Sequence, residues 1–62
     1  MLLRLIEMVR VRKASRAGVT ARFVAGRFMV TREGVTEPVT VESHPDSDLE
    51  IMRTLEDILD RY

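Results

Sequence analysis

The dipeptide Ala25-Gly26 lies between two runs that alternate apolar and polar residues, Val19 to Val24 and Arg27 to Arg32, and it dictates how the middle of this chain pairs with itself. A two-residue turn joins antiparallel strands in a fixed register. It sets Val24 against Arg27 and Phe23 against Phe28, bringing the only two phenylalanines together on one face. Strand side chains alternate between faces, so Val19, Ala21, Phe23, Phe28 and Val30 point inward as a set. The spacing predicts three strands, over about 19–24, 27–32 and 37–42. A four-residue connection, Glu33-Gly34-Val35-Thr36, sets Arg32 against Glu37, Val30 against Val39 and Phe28 against Val41. Pro38 has no amide hydrogen for a ladder, which makes the third strand an edge near its start. The opposite face then presents Thr20, Arg22, Val24, Arg27, Met29, Thr31, Thr40 and Glu42, a polar and mostly basic surface.

Past Glu42 the period lengthens. Leu49, Met52, Leu55, Leu59 and Tyr62, with Ile51 and Ile58 alongside, recur at helical spacing and form one apolar stripe. Ser47, followed three residues later by Glu50, is a capping-box signature for the start. Asp48 and Glu50 suit the positive end of the helix dipole and Arg61 the negative end, so a helix is predicted over about 48–61. At the other terminus Leu2, Leu5, Ile6 and Val9 have helical spacing, although Val9 to Lys13 alternates like a strand. The expectation is a helix over about 2–14. The resulting fold class is α+β: a three-stranded antiparallel sheet with helices on one face, in the order α-β-β-β-α.

The chain has 62 residues, one small domain spanning 1–62. A chain of this size has a marginal core, and without cysteine it has no disulfide or thiolate metal site to reinforce it. Dimerisation or docking onto a larger partner is the remaining way to bury apolar surface, so a homodimer or a complex is expected. Composition excludes a disordered chain, since 45% of the residues are hydrophobic. The apolar start from Met1 to Val11 is interrupted by Arg4, Glu7 and Arg10, which argues against a membrane span or signal peptide and for a cytoplasmic location. No internal repeat or low-complexity stretch stands out.

Net charge is zero, yet residues 1–32 hold eight of the ten basic side chains and only one of the ten acidic ones, Glu7. The two halves are therefore about +7 and −7. Such asymmetry points either to a nucleic-acid or acidic partner at the basic end and a protein partner at the acidic end, or to an acidic segment that folds over the basic one.

Catalytic chemistry has little to draw on. His44, the one histidine, lies in Ser43-His44-Pro45-Asp46-Ser47-Asp48, where hydroxyl, imidazole and carboxylate crowd together. Residues adjacent in a loop seldom converge as a hydrolytic site, and Pro45, Asp46 and Ser47 have ordinary turn and capping chemistry. One histidine and no cysteine leave no zinc-ligand pattern, and no glycine-rich phosphate loop occurs. No enzyme, metal or cofactor is expected.

An apolar helix ending near Ala17-Gly18, a strand, Gly26, another strand, then Pro38-Val39-Thr40-Val41 and Leu55-Glu56-Asp57-Ile58-Leu59 resemble the double-stranded-RNA-binding fold, in particular the HicA toxins of bacterial toxin–antitoxin pairs. The resemblance covers about 45 residues and implies a fold rather than an activity. HicA-like ribonucleases carry histidines in a Gly-Ser-His-His run, whereas here Gly26 is followed by Arg27, Phe28 and Met29. Duplex-RNA binders carry lysines at the start of the last helix, where this chain has Asp46, Asp48 and Glu50.

Two binding functions follow. In the first, a non-catalytic interaction protein of the bacterial or phage inhibitor, antitoxin or assembly-subunit kind uses Asp48, Glu50, Glu56, Asp57 and Asp60 to mimic phosphate charge and occupy a basic groove on a larger protein. In the second, Arg22 and Arg27 on the sheet face, with Arg10, Arg12, Lys13 and Arg16 near the end of the first helix, contact the phosphates of a nucleic acid. A membrane-surface role for residues 1–16 ranks below both, because their apolar side chains are needed to cover the sheet.

Overall fold

A computed structural model describes residues 11–42 and 44–62. Four strands follow one another as a meander: β1 (Val11–Arg16), β2 (Val19–Val24), β3 (Arg27–Arg32) and β4 (Val35–Val39). One helix, α1 (Asp48–Arg61), closes the described chain. The sheet order is β1-β2-β3-β4, with every neighbouring pair antiparallel.

Three dipeptides punctuate the sheet at eight-residue intervals: Ala17-Gly18, Ala25-Gly26 and Glu33-Gly34. In each, both residues have positive φ, as at Ala25 (52°) and Gly26 (78°). Positive φ at both central positions defines the type I′ turn, whose twist matches that of the flanking strands. Glycine adopts it freely in second place, while the alanine or glutamate in first place does so at a cost of about 1–2 kcal/mol. The sequence thus contains an eight-residue beat of six strand residues and two turn residues.

This beat corrects the expected fold class. The order among the described residues is β-β-β-β-α, and the α-β-β-β-α arrangement of three strands with helices at both ends is not adopted. Residues 11–14, expected to end a helix, belong to β1, because the Ala17-Gly18 turn folds them back along β2. The rest of that expected helix lies outside the described residues. β4 also differs: Glu33-Gly34 turns in two residues rather than four, so the strand covers Val35–Val39 instead of about 37–42. Val30 faces Glu37 and Phe28 faces Val39, a slip of two residues that keeps every side chain on its expected face. Thr40 and Glu42, expected on the outer face, lie beyond the strand; Pro38 takes the place opposite Met29 and Thr36 stands opposite Thr31.

The remaining elements form where the periodicity puts them. β2 and β3 have the anticipated limits, Phe23 pairs with Phe28, and their rings lie 4.7 Å apart. In α1, the Ser47 side-chain oxygen accepts the Glu50 N–H at 3.2 Å, and the Ser47 carbonyl accepts the Ile51 N–H at 3.0 Å. The buried core joins Val19, Ala21, Phe23, Phe28 and Val30 of the sheet to Ile51, Leu55, Ile58 and Leu59 of the helix. Burying each large aliphatic side chain contributes about 1.5–3 kcal/mol. Leu49 and Tyr62, anticipated on the same stripe, are 64% and 47% exposed, because the helix turns its Ile51-Leu55-Ile58 line toward the sheet.

Both edges of the sheet, as formed by the described residues, carry features that discourage a further strand. The pair flanking a two-residue turn is hydrogen-bonded and alternate pairs are not, so Pro38, opposite Met29, directs its hydrogen-free nitrogen away from β3 at the β4 edge. On β1, Arg12 and Arg16 place charge on the inward side, another recognised guard of an edge.

Candidate functional site: two faces of one sheet

The strand register sorts the basic residues of the N-terminal half into two groups. Arg12 and Arg16 share the helix side of the sheet with Ala14, opposite Phe23 and Val19. α1 packs against β1 and β2, and its acids reach both arginines. The Arg12 guanidinium donates to an Asp48 carboxylate oxygen at 3.0 Å, and Arg16 pairs with Asp60 while approaching the Glu56 carbonyl at 3.5 Å. The helix is therefore tied to the first strand near both of its ends. Here the acidic half does fold onto the basic half.

Lys13, Arg22 and Arg27 lie on the other side. Lys13 is directly opposite Arg22, and Arg27, opposite Val24, is the diagonal neighbour of Arg22. All three side chains are exposed, and none makes an ion pair among the described residues. No acidic residue of the four strands falls on this face: the one strand acid, Glu37, is opposite inward-facing Val30. Lys13 and Arg22 form one of the close, non-hydrogen-bonded pairs, with Cβ atoms about 4.5–5.5 Å apart. Like charges so placed oppose folding. Beside this cationic row runs a row of hydroxyls: Ser15 and Thr20 share a hydrogen bond at 2.8 Å, Thr31 faces Thr20, and Thr31 and Thr36 share another at 2.8 Å.

The structure thus divides the six basic residues singled out by sequence. Lys13, Arg22 and Arg27 share an open face, Arg12 and Arg16 belong to the helix contact, and Arg10 is outside the described residues. The acidic set divides similarly: Asp48 and Asp60 meet arginines, whereas Glu50, Glu56 and Asp57 have exposed side chains. Thr20, Thr31 and Thr36 are brought into one row by the register, and the eight-residue spacing of the turns that sets this register is visible in the sequence. In the loop around His44, Ser47 caps the helix and Asp48 pairs with Arg12, which gives both residues structural work. Among the described residues no group of three metal-ligating side chains converges, and no helix is long and apolar enough to cross a membrane.

Comparison with known proteins adds no relative: no family model, curated protein or solved structure matches the chain. The three-stranded order behind the resemblance to HicA-like and double-stranded-RNA-binding folds differs from the four-stranded order of the described residues.

Proposed function

We propose that the chain is a non-catalytic nucleic-acid-binding domain that contacts the phosphate backbone with Lys13, Arg22 and Arg27 on the outer face of its sheet. The observation that carries this reading is the Lys13–Arg22 pair: two cations held side by side across β1 and β2, with no acid of the four strands on that face to offset them. A local arrangement that works against folding is most readily explained by a ligand that makes use of it. Phosphate supplies the missing negative charge, and the adjoining Ser15, Thr20, Thr31 and Thr36 hydroxyls suit further backbone contacts. Phe23 and Phe28 are buried, so these contacts position a backbone without stacking on an aromatic platform.

The test is a titration of labelled DNA and RNA at about 50 and 200 mM salt. Three phosphate contacts correspond to a loss of roughly 20- to 40-fold over that interval, from slopes of about −0.7 to −0.9 per contact. Binding that does not respond to salt, or that survives Arg22→Ala with Arg27→Ala unchanged, defeats the proposal.

A second reading keeps a larger protein as partner, on the helix. Exposed Leu49 beside Glu50, with Glu56 and Asp57 further along, supports it, because an apolar group within an acidic surface suits a basic protein groove. Capture of a protein that Glu50→Ala with Leu49→Ala abolishes, with no nucleic-acid binding, would favour this reading.

A further inference from the structure

At the end of the sheet formed by the Ala25-Gly26 turn, an open cleft of about 570 Å³ lies between that turn, the end of β4 and the following loop. Its size falls within the range of about 300–1,000 Å³ typical of small-ligand sites. Half-buried Val39, Val41 and Pro45 are apolar residues of its lining, and exposed Arg27 and His44, whose side chains carry nitrogen donors and flat polar groups, line it as well. Arg27 is common to both surfaces, since it lines the cleft and also belongs to the cationic group on the outer face.

We infer that the cleft receives a nucleobase, which makes the protein a binder of single-stranded rather than duplex nucleic acid. The inference rests on the phosphate-binding reading above and adds the place where a base goes. The outer face satisfies phosphates but offers no ring on which a base can stack. A backbone running past Lys13 and Arg22 to Arg27 arrives at the mouth of the cleft, where an unpaired base turns inward against these apolar residues. Arg27 then serves the phosphate, and the His44 imidazole supplies a ring face and a hydrogen-bonding edge. Bases paired in a duplex are stacked and cannot enter without being extruded, so the cleft discriminates by strandedness.

The probes are fluorescently labelled oligothymidylate and oligouridylate, an abasic sugar-phosphate oligomer of the same length and charge, and a duplex. Anisotropy at one salt concentration is expected to show both base-bearing single strands bound about tenfold more tightly than the abasic oligomer or the duplex. Thr40→Trp, which fills the cleft from its exposed rim, and His44→Ala are each expected to lower single-strand affinity about fivefold or more. Both should leave the salt slope and abasic binding unchanged, and circular dichroism should show an unchanged melting curve. Equal binding of abasic and base-bearing strands, or folded variants with undiminished affinity, overturns the cleft while leaving salt-dependent phosphate binding intact. Absence of all nucleic-acid binding overturns both.

Discussion

Arg12 and Lys13 are neighbours in the chain and belong to opposite faces of the same strand. Arg12 faces the helix and meets Asp48; Lys13 faces away and meets Arg22, a second cation. On the inner face the two arginines of β1 answer acidic helix residues, while the outer face leaves its charge unanswered among the described residues. A period-two strand can therefore divide one basic segment into positions that serve the fold and positions left over for a ligand. Net charge by half describes the segment; the register describes the division.

The largest expected effect separates the faces by packing. Phe28 is 4% exposed in the core and Met29, the next residue, is on the outer face. Phe28→Ala is expected to cost about 3–5 kcal/mol, against a total of roughly 3–9 kcal/mol for a domain of this length. Thermal or urea unfolding should find it largely unfolded, with Met29→Ala close to the parent. Comparable destabilisation by both substitutions would mean that the outer face is packed against something.

These elements differ in how plainly they are written in the sequence. β2, β3 and α1 are legible because each has two agreeing signals: alternation with a glycine turn, or an apolar stripe with a serine cap. β1 is concealed because Leu2, Leu5, Ile6 and Val9 extend a helical pattern toward it, and its inward positions are Arg12, Ala14 and Arg16, with no large apolar residue to mark an alternating core. The recurring turn dipeptide was the available signal. β4 is misplaced by two residues because a valine opposite Val30 is the apolar expectation, whereas the type I′ turn puts Glu37 there. The same gap obscured the site: with 11–14 taken as helix, Arg12, Lys13 and Arg16 form one patch, and only a strand separates them.

The next effect separates the faces by function. Arg22→Ala with Arg27→Ala is expected to weaken nucleic-acid binding at least tenfold and leave the melting temperature nearly unchanged. Arg12→Ala with Arg16→Ala should do the reverse. Its two exposed ion pairs are worth about 0–1 kcal/mol each, and that difference should shrink in high salt. Anisotropy and thermal melts on the parent and the two double variants make the comparison, and equal loss of binding by both double variants would erase the distinction between the faces.

The turns that maintain the alternation offer a smaller test. Ala25 has φ 52°, a region that asparagine enters more readily than alanine, and Asn-Gly is the preferred type I′ pair. Ala25→Asn is expected to stabilise the protein by about 0.5–1 kcal/mol, read as an increase in urea midpoint without a change in slope. A loss of stability would argue that this turn is not held in the I′ geometry.

The smallest expected change in stability bears most directly on the comparison. Lys13→Glu places a carboxylate opposite Arg22 and turns the one like-charged pair across β1 and β2 into an opposite-charged one. Cross-strand pairs of this kind contribute about 0.2–1 kcal/mol, so the variant should be slightly more stable than the parent at low salt and lose that advantage as salt is raised. Its affinity for nucleic acid should fall by more than that of Lys13→Ala, since the new acid both removes a phosphate contact and occupies Arg22. Greater stability together with lost binding identifies the cation pair as an arrangement maintained against folding for the sake of a ligand. Lower stability in the variant would mean instead that Lys13 already has an anionic neighbour, and the outer face would then be balanced like the inner one.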